Sequence, residues 1–196
     1  TNYNIAGSFA NSGTFTTTGG NITFDGTGAK TCDAISNAAT SLYIVKTSGG
    51  SVTTTGNSDF NKVYITSGSY IIDGETITSD NYTYVQGGTL KITSGLFHNN
   101  TPATSNMFRL TSGTIDIDGG ELRIGNFSTT RYPDLYMTGG TLDVSGGTLN
   151  ISDALQSSSG TITQTGGNIV VGGYTGSSTH SSTAKLYKSS GTINFT

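Results

Sequence analysis

Gly113-Thr114-Ile115-Asp116-Ile117 is followed, seven residues on from glycine to glycine, by Gly120-Glu121-Leu122-Arg123-Ile124. Each stretch reads glycine, polar, apolar, any, apolar. Alternation with period two places both apolar side chains on one face of a short strand. The glycine marks a sharp bend, where a residue without Cβ is favoured. Outward from this pair the same unit recurs. Gly140-Thr141-Leu142-Asp143-Val144 leads to Gly147-Thr148-Leu149-Asn150-Ile151, and Gly160-Thr161-Ile162-Thr163-Gln164 leads to Gly167-Asn168-Ile169-Val170-Val171. Gly88-Thr89-Leu90-Lys91-Ile92 leads to Gly95, Gly13-Thr14-Phe15 leads to Gly20-Asn21-Ile22-Thr23-Phe24, and Gly191-Thr192-Ile193-Asn194-Phe195 is one more copy.

A third short strand is expected before each pair, over 62–65, 83–85, 108–110, 135–137 and 185–188. Aligned on the first glycine (Gly50, Gly68, Gly88, Gly113, Gly140, Gly160, Gly191), the units are 18, 20, 25, 27, 20 and 31 residues apart. Three short strands with tight bends need about 20 residues, so the excess is expected to loop outward. Both prolines, Pro102 and Pro133, fall in it, where a missing N–H breaks no ladder. Two residues after the glycine stand Val52, Tyr70, Leu90, Ile115, Leu142, Ile162 and Ile193; four after it, Thr54, Ile72, Ile92, Ile117, Val144, Gln164 and Phe195; five before it, Val45, Val63, Thr83, Phe108, Leu135, Leu155 and Leu186. Stacked coils would bury each column and so build a core that no single repeat could form. Thr54 and Gln164 are the polar exceptions in their column and call for internal partners.

Successive coils run the same way, so the expectation is an all-β chain: a right-handed parallel β-helix, or β-solenoid, with three short strands per coil. About eight coils at ~4.8 Å each would make a rod on the order of 40 Å long. We expect one domain over 1–196, with 27–40, rich in alanine and polar residues, as an irregular loop or break.

Composition narrows the function classes. Charged residues are 11% of the chain and the formal net charge is −3, with the nine Lys and Arg scattered, so no nucleic-acid or acidic-membrane partner is indicated. No apolar run reaches the length of a membrane span. No charged-then-apolar leader precedes the repeats, so an export signal is expected to be already removed or to lie outside this stretch. The single cysteine, Cys32, can form neither an internal disulfide nor a cysteine-based zinc site, and is expected to be a small apolar filler.

Asn11-Ser12-Gly13-Thr14-Phe15, the run from Ile22-Thr23-Phe24-Asp25-Gly26 to Thr27-Gly28-Ala29-Lys30-Thr31, and Leu42 to Val45 with Ser48-Gly49-Gly50-Ser51-Val52 carry a resemblance. They resemble an element of repetitive β-helical surface proteins of Bacteroidetes-like bacteria. The later Gly-Thr-apolar units are similar to autotransporter-passenger and other adhesin repeats. The resemblance implies a secreted, cell-surface, structural or adhesive protein and carries no catalytic residues with it.

Two outward clusters are the candidate sites. Tyr64, Tyr84, Tyr136 and Tyr187 share the position four before the aligned glycine. Such a stripe can stack on sugar rings or on a neighbouring protein, or it can simply cover the sheet as an aromatic ladder. Asp116 and Asp143 occupy one position on adjacent coils, with Lys91 a coil before, Asp118 two residues on from Asp116, and Arg123 on the next strand. Paired carboxylates beside a base are what a polysaccharide lyase or hydrolase of this fold would use; the alternative is a solvated ladder in which Lys91 offsets Asp116. His98 stands on a different turn, and His180 is expected in a Ser/Thr-rich loop. No enzyme, cofactor or metal site is expected. The expected partners are copies of the chain stacked head to tail, the rest of a longer repetitive chain, or surface glycans. Head-to-tail contacts do not close and would give a filament.

Overall fold

The computed structural model describes residues 1–13, 15, 17, 19–45, 49–101, 108–125, 134–172, 185–188 and 192–195, without the side chains of 37, 38, 185–188 and 192–195. Among them there is no helix. In chain order the strands are β1 (Asn2–Ile5), β2 (Gly20–Phe24), β3 (Ala29–Cys32), β4 (Ser36–Val45), β5 (Ser51–Thr54), β6 (Ser58–Ser67), β7 (Ser69–Ile72) and β8 (Thr76–Ser79). They continue as β9 (Thr83–Val85), β10 (Thr89–Ile92), β11 (Leu96–Asn99), β12 (Phe108–Leu110), β13 (Thr114–Ile117), β14 (Glu121–Ile124), β15 (Leu135–Met137) and β16 (Thr141–Val144). The last are β17 (Thr148–Ile151), β18 (Ala154–Ser157), β19 (Thr161–Gln164), β20 (Asn168–Val171), β21 (Lys185–Lys188) and β22 (Thr192–Phe195).

Every pairing is parallel and links a strand to the one a coil away. One sheet holds eight strands, in the order β22-β19-β16-β13-β10-β7-β5-β3. The other holds fourteen, and is two stacks joined where β4 and β6 each run through a corner. The first part of β6 pairs with β8 (Phe60 opposite Ser79) and its later part with β9 (Val63 opposite Thr83). Three stacks therefore wrap one interior, which is a parallel β-helix with three strands per coil.

The alternation read in the sequence sets the packing. Leu90, Ile115, Leu142 and Ile162 are register partners in succession, and all are buried. Phe97, Leu122 and Leu149 do the same in the next stack, as do Phe108, Leu135 and Leu155 in the third. Full burial of such a side chain is worth about 1.5–3 kcal/mol, and each coil is covered by the coils on either side of it. The ladders continue through the bends: the amides of Thr114, Thr141 and Thr161 donate to the carbonyls of Gly88, Gly113 and Gly140, each at 2.9 Å. The polar exceptions differ. Thr54 is buried and its Oγ1 donates to the Ile71 carbonyl at 3.3 Å, whereas Gln164 is half-buried and its Nε2 donates to the Gly167 carbonyl at 3.1 Å.

Three sequence expectations are corrected. Residues 27–40 are not a loop: β3 pairs with β5, and β4 begins at Ser36. The pattern fails there because Lys30, opposite Val52, stands where the repeat requires an apolar residue. What irregularity there is lies in a register shift of β4 between Asn37 and Ser41. Second, Gly20-Asn21-Ile22-Thr23-Phe24 carries the motif but belongs to another stack, where Ile22 pairs with Leu42. Third, the partner of Val63 is Leu42, not Val45, which pairs with Ser67. Pro102, Pro133 and His180 lie outside the described residues.

The interior begins with aromatic side chains. Phe9 bridges to Cys32, Phe15 packs edge-on against Phe9 with ring centroids 5.1 Å apart, and Ile5 lies against the same cluster. Cys32 is buried as expected of a filler, and burial pushes its thiol up to about 12. Tyr70 is fully buried in the Leu90 column, and its hydroxyl finds no partner among the described residues. A buried hydroxyl without a partner costs about 1–3 kcal/mol. Tyr70→Phe keeps the ring and removes that cost, so chemical denaturation is expected to show the variant as stable as the parent or about 1 kcal/mol more so. A loss of 2 kcal/mol or more, on the order of a broken buried hydrogen bond, would show that the hydroxyl is satisfied.

Candidate functional site

The first cluster lies on the outer surface of the stack that holds β4, β6, β9, β12 and β15. Because the residues on either side of it are buried in the interior, the residue between them must point out: Tyr43, Tyr64, Tyr84, Arg109 and Tyr136 are successive register partners. Gln156 follows, and the backbone of Tyr187 pairs with it, the side chain of Tyr187 lying outside the described residues. Tyr64, Tyr84 and Tyr136 thus share one row, as expected, but Arg109 interrupts it. Sequence reading missed Tyr43, although Leu42-Tyr43-Ile44 repeats the pattern of Val63-Tyr64-Ile65. Counting back from Gly50 failed because extra residues separate β4 from that glycine.

Register spacing forces the rings together. Tyr43 and Tyr64 stack with centroids 4.5 Å apart and planes 7° from parallel; Tyr64 and Tyr84 follow at 5.2 Å and 11°. Tyr82 stacks beside Tyr84 at 5.7 Å. The Arg109 guanidinium lies 5.8 Å from the Tyr84 ring centre and the Lys62 ammonium 5.2 Å from that of Tyr82, both within cation–π range. Burial, and then the neighbouring Tyr43 and Tyr84, push the Tyr64 hydroxyl above its ordinary value. Within the stack, ring faces cover one another, so the row turns edges and hydroxyls outward, flanked by two cations. This geometry is better suited to polar hydrogen bonding than to stacking a sugar on an open ring face.

The second cluster lies on the outer surface of the eight-stranded sheet. Lys91, Asp116 and Asp143 are successive register partners on β10, β13 and β16. The Lys91 ammonium donates to Asp116 at 2.6 Å and also to Asp118, just past the end of β13, which accepts a further bond from Ser145 at 2.8 Å. Among the described residues no cation reaches ion-pair distance of Asp143. Arg123 does not join the aspartates: on β14 its guanidinium forks onto Glu121 of the same strand, at 2.9 and 2.8 Å. Burial alone would raise Glu121, but the bond and charge of Arg123, with Asn150, hold it below its ordinary value. His98, the register partner of Arg123, donates its Nε2 proton to the Gly125 carbonyl at 3.0 Å; burial first, and then the Arg123 charge, lower its pKa against the pull of that bond. Among the described residues no group of three or more His, Cys, Asp or Glu is arranged to hold a metal.

The chemistry of this cluster is that of an ion-pair ladder. A general acid needs a carboxyl raised toward neutrality. Asp118 is held below the carboxylate range by the hydrogen bonds of Lys91 and Ser145, and Lys91 is held above its ordinary value by Asp116 and Asp118. The lowered Asp118 contributes stability that is present above pH 3.8 and lost as pH falls through its folded value. The raised Lys91 contributes stability that is present below pH 10.5 and lost only as pH rises through its folded value. The side chains are 30% (Lys91) and 43% (Asp118) exposed, so solvent screening limits each pair to about 0.2–1 kcal/mol. Lys91→Met removes both pairs and is therefore expected to cost no more than about 2 kcal/mol at pH 7 and to flatten the stability profile below pH 3.8, as read by urea titrations across pH. A larger loss, or an unchanged acid limb, would refute this account of the cluster.

No family model, curated protein or solved structure matches the chain. The class that the register defines is a parallel β-helix.

Proposed function

We propose that the chain is a structural segment of an extracellular bacterial β-helix: a stretch of cell-surface rod, stalk or filament, or of an adhesin, and not a catalyst. The observation that carries this reading is the unbroken register from β5 to β19, in which the described side chains form ladders inside and out. Repetition of this kind extends without limit, and its partners are further coils, supplied by the same chain or by copies stacked head to tail. Electron microscopy of the native material tests it, with rods or filaments at the cell surface expected and isolated compact particles as the contrary result. A reducing-sugar and unsaturated-product assay over neutral and acidic polysaccharides is expected to show no turnover. Turnover abolished by Asp116→Ala with Asp143→Ala would establish the enzyme instead.

A second reading, a carbohydrate-binding adhesin, is favoured by the row of Tyr43, Tyr64, Tyr84 and Tyr136 with Lys62 and Arg109 beside it. Glycan-array binding lost in Tyr84→Ala and Tyr136→Ala would support it; an array with no signal above background would leave the row as a cover for the sheet.

A further inference from the structure

We propose that Tyr43 and Tyr64 form an oxidative cross-linking site, at which a peroxide and a one-electron peroxidase join the two rings and so tie β4 covalently to β6. The chain has ten tyrosines, and the described ones are not equivalent. Coupling of two phenoxyl radicals begins from face-to-face contact. Tyr43 and Tyr64 have the closest and most nearly parallel rings among the described tyrosine pairs, at 4.5 Å and 7°, against 5.2 Å and 11° for Tyr64 with Tyr84 and 5.7 Å and 22° for Tyr82 with Tyr84. Electron loss from a ring is opposed by a cation against its face, because the ring then develops positive charge beside a positive charge. Arg109 lies over Tyr84 and Lys62 over Tyr82, and these are the rings of the competing pairs. Tyr136 is separated from the stack by Arg109, Tyr70 is sealed in the interior, and Tyr3 packs on Phe15 rather than on another phenol.

Each phenol gives one electron and one proton to the oxidant. The two radicals form a carbon–carbon bond between positions ortho to oxygen. The hydrogen on each of those carbons then moves to oxygen and restores two phenols. Two tyrosines and one hydrogen peroxide become one dityrosine and two waters. The parallel register, which brings Tyr43 opposite Tyr64, makes the link join adjacent coils of one chain.

The test is to treat the full chain at low concentration with peroxidase and limiting hydrogen peroxide, and to read intact mass, dityrosine fluorescence and cross-linked peptides. The expected result is a monomer lighter by two hydrogen atoms, fluorescent, with its link mapped between the peptides carrying Tyr43 and Tyr64. Tyr64→Phe, which keeps the stacked ring, is expected to lose that monomeric product while Tyr136→Phe keeps it. Tyr43→Phe removes the same linked peptide and serves if Tyr64→Phe does not fold. A monomer of unchanged mass with only covalent dimers, a link mapped to other tyrosines, or an unchanged yield in Tyr64→Phe would overturn the proposal.

Discussion

Leu142→Asp is expected to destroy cooperative folding of the central coils, while the neighbouring Asp143→Ala leaves stability within about 0.5 kcal/mol of the parent. The two residues are adjacent in β16 but face opposite ways. Leu142 is fully buried between Ile115 and Ile162, and Asp143 stands outside between Asp116 and Thr163. Truncation alone, Leu142→Ala, removes the side chain from a closed column and is expected to cost about 2–5 kcal/mol. A carboxylate there has no cation to meet, and its desolvation adds several kcal/mol more. Since domains have only about 5–15 kcal/mol in hand, the sum reaches the whole stability. Circular dichroism and urea titration check the pair. Equal, small effects at both positions would mean that the strand does not alternate between core and solvent.

The second large effect is at a bend. Gly147 has φ +60°, and a Cβ added there would sit 2.4 Å from the Gly120 carbonyl oxygen, which accepts the Thr148 amide at 2.9 Å. Gly147→Ala must therefore strain its own backbone, at about 1–2 kcal/mol, and push apart two coils, at about 1–3 kcal/mol. Gly28 has a similar φ of +70° but open space around the added Cβ. Gly28→Ala is therefore expected to show the first cost without the second. If the two variants lose the same stability by denaturant titration, the coils do not meet at that glycine.

These two positions show what the sequence could and could not disclose. Leu142 was legible because a buried column repeats an apolar residue at a fixed offset from glycine. Lys30 broke that rule at the same offset, so β3 was hidden although its backbone pairs as well as any other. The backbone ladder does not depend on side-chain polarity, and a pattern reading does. The tyrosine row was legible in part: Tyr64, Tyr84 and Tyr136 lie at one offset, but Tyr43 lies beyond a bend of different length, and register, not offset, brings it in. Arg109 over Tyr84 could have been found in the same column, as the residue between Phe108 and Leu110. The choice of Arg123 for Glu121 rather than for the aspartates could not. It depends on a corner that turns β14 onto a different face from β13, and on side-chain reach that no spacing encodes.

The coils stack in parallel register, and one distance tests that arrangement. Ser51 and Thr161 are joined through Ser69, Thr89, Thr114 and Thr141 by successive register pairs. Spin labels on cysteines at these two positions, in a Cys32→Ala background, are expected to lie about 24 Å apart, five interstrand steps of about 4.8 Å, with a narrow distribution in pulsed electron resonance. A distance under about 15 Å, or a broad distribution with no preferred separation, would contradict the stack, because neither is compatible with five ordered steps of that length.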